Sequence, residues 1–346
     1  MPEARLPPPV EPGDPQTTLA LNLHPPVDLA ITSPTSFFGT SLEPSLLDAC
    51  GGRLETPRWF RTDWQRGGAL TGYARFTPDG AEGRDVVVKL PVPPQELTWL
   101  QRLQEENHDL GQIVPRLCAS GRKLGGYDLA WAVMQRLEHG PLDSTWGGAE
   151  MKLVAEAAGR FYAASSHFDV DAKPRNENWP DVLRRSRAAV REHQLAQGQR
   201  WNAALKAVQK KFKKLLGIWD ERDTAQWCHG DLHLGNAMTS APPPDGPAFV
   251  FDLAMVHAGH WVEDAIYMEH LYWAHPRRLA GVDLPRLIAD QRRARGLPGD
   301  SQWPRLARIR RVLLAAATPA EHVRHPSPAR LAAALGVLER ETSSLT

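Results

Sequence analysis

Apolar side chains follow two rhythms along this chain. Between residues 58 and 137 they fall in short runs rich in aromatic and β-branched residues, as half-buried strands do. Residues 58–64 predict a strand, broken by Gly67 and Gly68. Residues 71–76 predict a second, turned at Thr77, Pro78, Asp79 and Gly80, and residues 85–90 a third with three consecutive valines. After Pro93 and Pro94, the spacing of Leu97, Leu100 and Leu103 predicts a helix. Two more strands are expected at 116–120 and 129–137. Beyond residue 140 the period lengthens to that of helices. Met151, Val154, Ala155, Ala158, Phe161, Tyr162 and Ser165 mark one stripe. Residues 180–194 predict a second helix with Pro180 in its first turn, and Trp201, Leu205, Val208, Phe212, Leu215 and Trp219 mark a third. Further helices are expected from Trp261 to the C-terminus, separated near residues 296–300 and at Pro319.

This order predicts an α+β chain in two lobes: a small antiparallel sheet in residues 41–138 and a large, mainly helical part in residues 139–346. Residues 138–141 (Glu138, His139, Gly140, Pro141) read as the connection. Residues 1–40 are rich in proline and poor in periodic apolar positions, so a flexible lead-in is expected there. Order is expected to begin with a short helix around Leu46 and Leu47, closed by Gly51 and Gly52. No internal repeat is visible.

Composition narrows the function by exclusion. A chain of 346 residues has ample core for two lobes, and a net charge of +1 gives no global attraction to nucleic acid or membrane. Cys50, Cys118 and Cys228 are odd in number and widely spaced, so reduced thiols in a cytoplasmic protein are expected. The first residues lack a signal-peptide core, and no apolar run approaches the roughly 20 residues of a membrane span.

The densest chemistry lies in Cys228-His229-Gly230-Asp231-Leu232-His233-Leu234-Gly235-Asn236, followed by a short strand and turn that end at Phe251-Asp252. A carboxylate five residues before a carboxamide, with a second carboxylate at the end of a β-run, is the set used in kinase-type phosphoryl transfer. Asp231 would accept the proton of an attacking hydroxyl. That role asks that it be loosely held, charged near neutral pH and within hydrogen-bond reach of the acceptor. Asn236 and Asp252 supply one neutral and one anionic hard oxygen, which suits Mg²⁺. Lys89 ends the valine run, where burial without an anionic partner would be costly. Glu96 at the start of the next helix is the first candidate partner, with Glu105 and Glu106 behind it. Gly67, Gly68 and Gly72 could fold over phosphates, although they do not match a GxGxxG pattern.

Other features have plainer readings. His229 and His233 are four residues apart, and His257 and His260 follow, so a zinc site has to be weighed. Gly230 and Gly235 argue against the helix such a site needs, which leaves these histidines to brace the loop. Between Asp181 and Lys214 there are ten basic and two acidic residues. Lys206, Lys210 and Lys213 share a face opposite the Trp201 stripe; a solvated helix face is expected, with an electropositive wall for an acidic substrate as the sharper alternative.

His229-Gly230-Asp231 through Asn236, Phe251-Asp252 and then Glu263-Asp264-Ala265 together resemble the aminoglycoside phosphotransferase and choline kinase-like family. The likeness covers roughly residues 55–275 and implies a protein-kinase-like two-lobed fold with ATP and Mg²⁺ as cofactors. It implies Asp231 as the catalytic base, Asn236 and Asp252 as metal ligands, and Lys89 with Glu96 as the ion pair of the nucleotide lobe. It further implies that Met134-Gln135-Arg136-Leu137 is a hinge whose backbone, at Gln135 and Leu137, meets the adenine, and that Asp264 supports the catalytic loop; of the loop glycines, Gly68 is the one expected to bind the nucleotide. Leu234, Leu253 and the approach His260-Trp261-Val262 depart from the usual pattern and point to a divergent branch. The resemblance implies a small-molecule hydroxyl acceptor, with aminoglycosides not assumed. The rival reading is a catalytically weak nucleotide-binding regulator with the same fold. A protein kinase lacks support, because no DFG glycine or Ala-Pro-Glu signature follows Asp252.

Overall fold

The computed structural model describes residues 34–61, 69–105, 111–144, 148–279 and 281–344. Most of the expected lead-in, with Gly67 and Gly68, lies outside the described residues.

Five strands form one antiparallel sheet in the order β1-β2-β3-β5-β4: β1 (Arg58–Arg61), β2 (Leu70–Phe76), β3 (Arg84–Leu90), β4 (Leu117–Gly121) and β5 (Trp131–Gln135). The period-two alternation of β3 decides what each face of this sheet does. Val86, Val88 and Leu90 are fully buried and meet Leu46, Phe76, Trp131 and Val133 in a separate small core. Val87 and Lys89 therefore point to the opposite face, with Tyr73 and Thr71 beside them in register.

The small core is capped by helix α1 (Pro34–Ala49). This helix begins well before the short one expected near Leu46, inside the proline-rich stretch assigned to a lead-in. Leu42 and Leu46 pack on sheet residues that are distant in sequence, a surface the local pattern could not show. Helix α2 (Pro94–Glu105) lies across the other face. Its Leu97, Leu100 and Leu103 are buried in the larger core, together with Ala132 and Met134 of β5.

After β5 the chain passes through residues 136–149 into α3 (Glu150–Ser165), α4 (Trp179–Glu192) and α5 (Gly198–Asp220). The seven residues of the α3 stripe are all buried. Asn178 caps α4 by accepting from the Asp181 N–H at 3.1 Å, and Pro180 sits in the first turn, where no N–H is required. In α5, Trp201, Leu205, Val208, Leu215 and Trp219 are buried while Lys206, Lys210 and Lys213 are exposed, so the basic run is a solvated face. The remaining helices are α6 (Val262–Leu271), α7 (Leu284–Ala294), α8 (Trp303–Arg324) and α9 (Pro328–Ser344).

Pro319 does not separate helices as expected; it lies inside α8, and the break comes at residues 325–327. Proline in a helix interior removes one ladder bond and costs about 3 kcal/mol. Here α8 packs against α4, α5, α6 and α9, and Thr318 and Pro319 are both buried. Tertiary packing outweighs the local penalty.

Candidate active site

Two small hairpins build the site. Strand β6 (Gln226–Cys228) pairs antiparallel with β9 (His257–Gly259), and β7 (Ala237–Thr239) pairs with β8 (Ala248–Val250). Residues 229–236 span the gap between β6 and β7. The Phe251 N–H donates to the Asn236 carbonyl at 3.1 Å, which brings Asn236 and Asp252 side by side at the open end of the β7–β8 hairpin. Gly230 has φ +83°, and a Cβ there would stand 2.0 Å from the Met255 carbonyl oxygen, so only glycine lets the loop pass.

Asp264, on the first turn of α6, holds this loop from beneath. Its Oδ2 accepts from the His229 N–H at 2.8 Å and from the Tyr162 hydroxyl at 2.9 Å, and its Oδ1 accepts from the Gly230 N–H at 2.8 Å. The carboxylate is only 1 % exposed, so these three donors stand in for its lost hydration. Burial, reinforced by Asp264, drives the Tyr162 phenol well above its ordinary pKa and keeps it a donor.

Asp231 is fixed rather than loose, contrary to the expectation for a base. Its Oδ1 accepts from the Tyr267 hydroxyl at 2.6 Å and faces His233 Nε2 at 3.6 Å. Its Oδ2 accepts from Asn236 Nδ2 at 3.0 Å, and the same amide nitrogen lies 2.9 Å from the Asp231 carbonyl. Burial raises the carboxyl pKa, but the facing His233 imidazole and the Tyr267 hydrogen bond overcome it and lower the pKa to about 2. His233 Nδ1 accepts from the Gly235 N–H at 3.0 Å, which places the imidazole proton on Nε2, toward Asp231. The Tyr267 phenol is pushed up by burial and by Asp231, while Arg330 and Arg175 oppose the rise. Nothing in the motif pattern marked Tyr267. The available signal was its position three residues after Asp264, one turn along the same helix face.

Lys89 enters from the sheet above. Its Nζ lies 2.7 and 2.8 Å from the two Glu96 oxygens and 3.7 Å from Asp252 Oδ1. Glu96 is 2 % exposed; burial raises its pKa and Lys89 pulls it back. The neighbouring residue on α2, Gln95, donates its side-chain amide to the Val256 carbonyl, tying the helix to the segment beyond Asp252. Asp252 adopts the left-handed conformation at φ 60°, ψ 61°, which costs a non-glycine residue about 1–2 kcal/mol. Its carboxylate remains 37 % exposed toward the cleft. Because the Asn236 amide nitrogen serves Asp231, its oxygen is the atom left to join Asp252 in holding a cation. One carboxamide and one carboxylate oxygen make a hard donor pair that fits Mg²⁺.

The expected hinge, residues 134–137, starts in the last two residues of β5. Gln135 and Arg136 use their N–H groups on the Arg116 and Asp85 carbonyls, and Gln135 Oε1 accepts from Gln112 Nε2 at 2.8 Å. The Gln135 side chain is thus committed to the back edge of the sheet, while Leu137 is buried. The histidines serve separate structural partners. His229 Nδ1 accepts from the Asp231 N–H at 3.4 Å, and His257 Nδ1 donates to the Met255 carbonyl at 2.9 Å. His260 faces Asp300 at 3.0 Å. Among the described residues, no group of three or more His, Cys, Asp and Glu side chains is gathered to hold a metal. Sequence reasoning also missed the buried ion pair of Arg222 with Glu263 at 2.9 Å, which props the turn into α6.

Residues 53–332 match the model of the phosphotransferase enzyme family, well over half of the chain. The chain belongs to that family. No curated protein matches it. Among solved structures similar to this phosphotransferase is spectinomycin phosphotransferase in complex with ADP and spectinomycin. It is 11 % identical with a TM-score of 0.52 over 87 % of this chain and 93 % of that one. The GDP complex of aminoglycoside 2'-phosphotransferase-IIIa is 12 % identical with a TM-score of 0.51, covering 91 % of this chain and all of the other. These likenesses establish the two-lobed protein-kinase-like fold. No described helix is long and apolar enough to cross a membrane.

Proposed function

We propose that this chain is a cytoplasmic, ATP- and Mg²⁺-dependent phosphotransferase that moves the γ-phosphoryl group to a hydroxyl of a small-molecule acceptor. The observation that carries the reading is Lys89, whose amino group joins Glu96 at 2.7 Å and faces Asp252 at 3.7 Å, across the same cleft as the Asp231–Asn236 pair. Lys89 would meet nucleotide phosphates, while Asn236 and Asp252 would hold the cation, which supplies charge neutralisation to the transferring phosphoryl group. The sheet face bearing Val87 and Tyr73 forms the roof available to a nucleotide base.

Asp231 is the proposed base. A carboxylate of pKa about 2 is a weak proton acceptor, and a loose phosphoryl transition state asks little more of it than orientation of the hydroxyl until the P–O bond forms. The acceptor space beside Asp231 borders Tyr267, on which Arg330 and Arg175 act.

The test is incubation of purified protein with γ-labelled ATP, Mg²⁺ and a metabolite extract. A new labelled product is expected from the native chain and none from Asp231→Asn, with ATP binding retained in the variant. Nucleotide binding without any labelled product would leave a regulator and overturn the reading.

A further inference from the structure

We propose that Tyr267 is a positioning residue that fixes the plane of the Asp231 carboxylate and thereby selects the one direction from which an acceptor hydroxyl can reach it. The proposal rests on the phosphotransfer reading above. Of the two Asp231 oxygens, Oδ1 takes the Tyr267 hydroxyl at 2.6 Å and Oδ2 takes Asn236 Nδ2 at 3.0 Å. Two donors on opposite oxygens stop rotation about the Cβ–Cγ bond, which one alone would permit. Each oxygen has about two lone-pair sites. His233 Nε2 also faces Oδ1, at 3.6 Å, so Oδ2, with the single Asn236 donor, is the less crowded oxygen and the one open to a hydroxyl.

The tyrosine is itself held. Its helix, α6, carries Asp264 one turn earlier, which grips the His229 and Gly230 amides. The Tyr267 carbonyl accepts from His270 Nδ1. With its proton on Nδ1, His270 presents Nε2 as an acceptor, and Arg330 donates to it at 3.1 Å while bonding Glu321 at 2.8 Å. One helix thus sets both the backbone of the catalytic loop and the rotation of its carboxylate. A tyrosine that only filled space would not need its hydroxyl at the proposed base.

The experiment compares Tyr267→Phe and Tyr267→Leu with the native chain, using the product-forming extract and γ-labelled ATP. Loss of the hydroxyl should lower kcat by about 10- to 100-fold. KM for ATP should stay within about twofold, because the nucleotide contacts are elsewhere. Equal loss in the Phe and Leu variants supports the proposal. Loss confined to Tyr267→Leu would assign the residue to packing and overturn it. An unchanged kcat in Tyr267→Phe would overturn it while leaving phosphotransfer intact, whereas an inactive native chain would remove both together.

Discussion

Asp264→Ala gives a direct measure of how the loop of residues 229–236 is held. The side chain receives three hydrogen bonds, at 2.8, 2.8 and 2.9 Å, and two of their donors are main-chain amides of the loop. Each bond to a buried charged acceptor is worth about 1.5–3 kcal/mol, so the gross loss is about 5–9 kcal/mol. Against this, the variant no longer buries a carboxylate, which costs several kcal/mol in its own right. The net destabilisation is about 2–4 kcal/mol, or about 4–16 °C in Tm at the 2–4 °C per kcal/mol of larger domains. Urea and thermal unfolding of the variant, followed by far-UV circular dichroism, read this directly. The freed loop should also lose phosphotransfer more steeply than stability, since the backbone on either side of His229 and Gly230 sets where Asp231 points. An Asp264→Ala protein within about 1 kcal/mol of native stability would refute the reasoning, because it would mean that the three donors find water as readily as the carboxylate.

Two further outcomes follow from the same geometry. Asp252→Ala should weaken Mg²⁺-dependent nucleotide binding at least tenfold while sparing metal-free binding, as calorimetry at several Mg²⁺ concentrations would show; an unchanged Mg²⁺ titration counts against the ligand assignment. Burial would raise the Glu263 pKa, but the nearby His257 imidazole and the Arg310 and Arg222 charges lower it to about 2, below its ordinary 4.5. Its stabilisation is complete above pH 4.5 and lost as the pH falls toward 2, by up to about 1.4 kcal/mol per pH unit. Glu263→Gln should flatten the stability profile across that window, and a profile as steep as the native one would contradict the assignment.

The residues proposed for the site were conspicuous in the sequence because each carries its own chemistry at a fixed spacing. Asp231, Asn236 and Asp252 stand on one loop and one hairpin, and Lys89 announces itself by ending a valine run. Glu96 could be paired with it because the strand and the next helix are joined by a short turn. The strands were legible too, since their period is local. What escaped notice depends on contacts between distant segments. Tyr267 meets Asp231 across 36 positions, Arg222 meets Glu263 across 41, and both look like ordinary helix residues in the linear chain. Pro319 misled for the complementary reason: its local penalty is visible, while the four helices that offset it are not. The fixed state of Asp231 escaped as well, because the donor to its Oδ1, Tyr267, lies on α6, 36 positions away.

Gln95 and Glu96 are adjacent on α2 but reach in different directions, one to the backbone at Val256 and the other to Lys89 on β3. A helix anchored by consecutive residues to both walls of a cleft cannot leave one wall while staying with the other. Opening above Lys89 and loosening of the segment beyond Asp252 should therefore be one cooperative event with a single free energy. In amide exchange, β3, α2 and residues 253–256 would then trade their protons as one unit, which makes the cleft a two-position device rather than a pair of independent flaps.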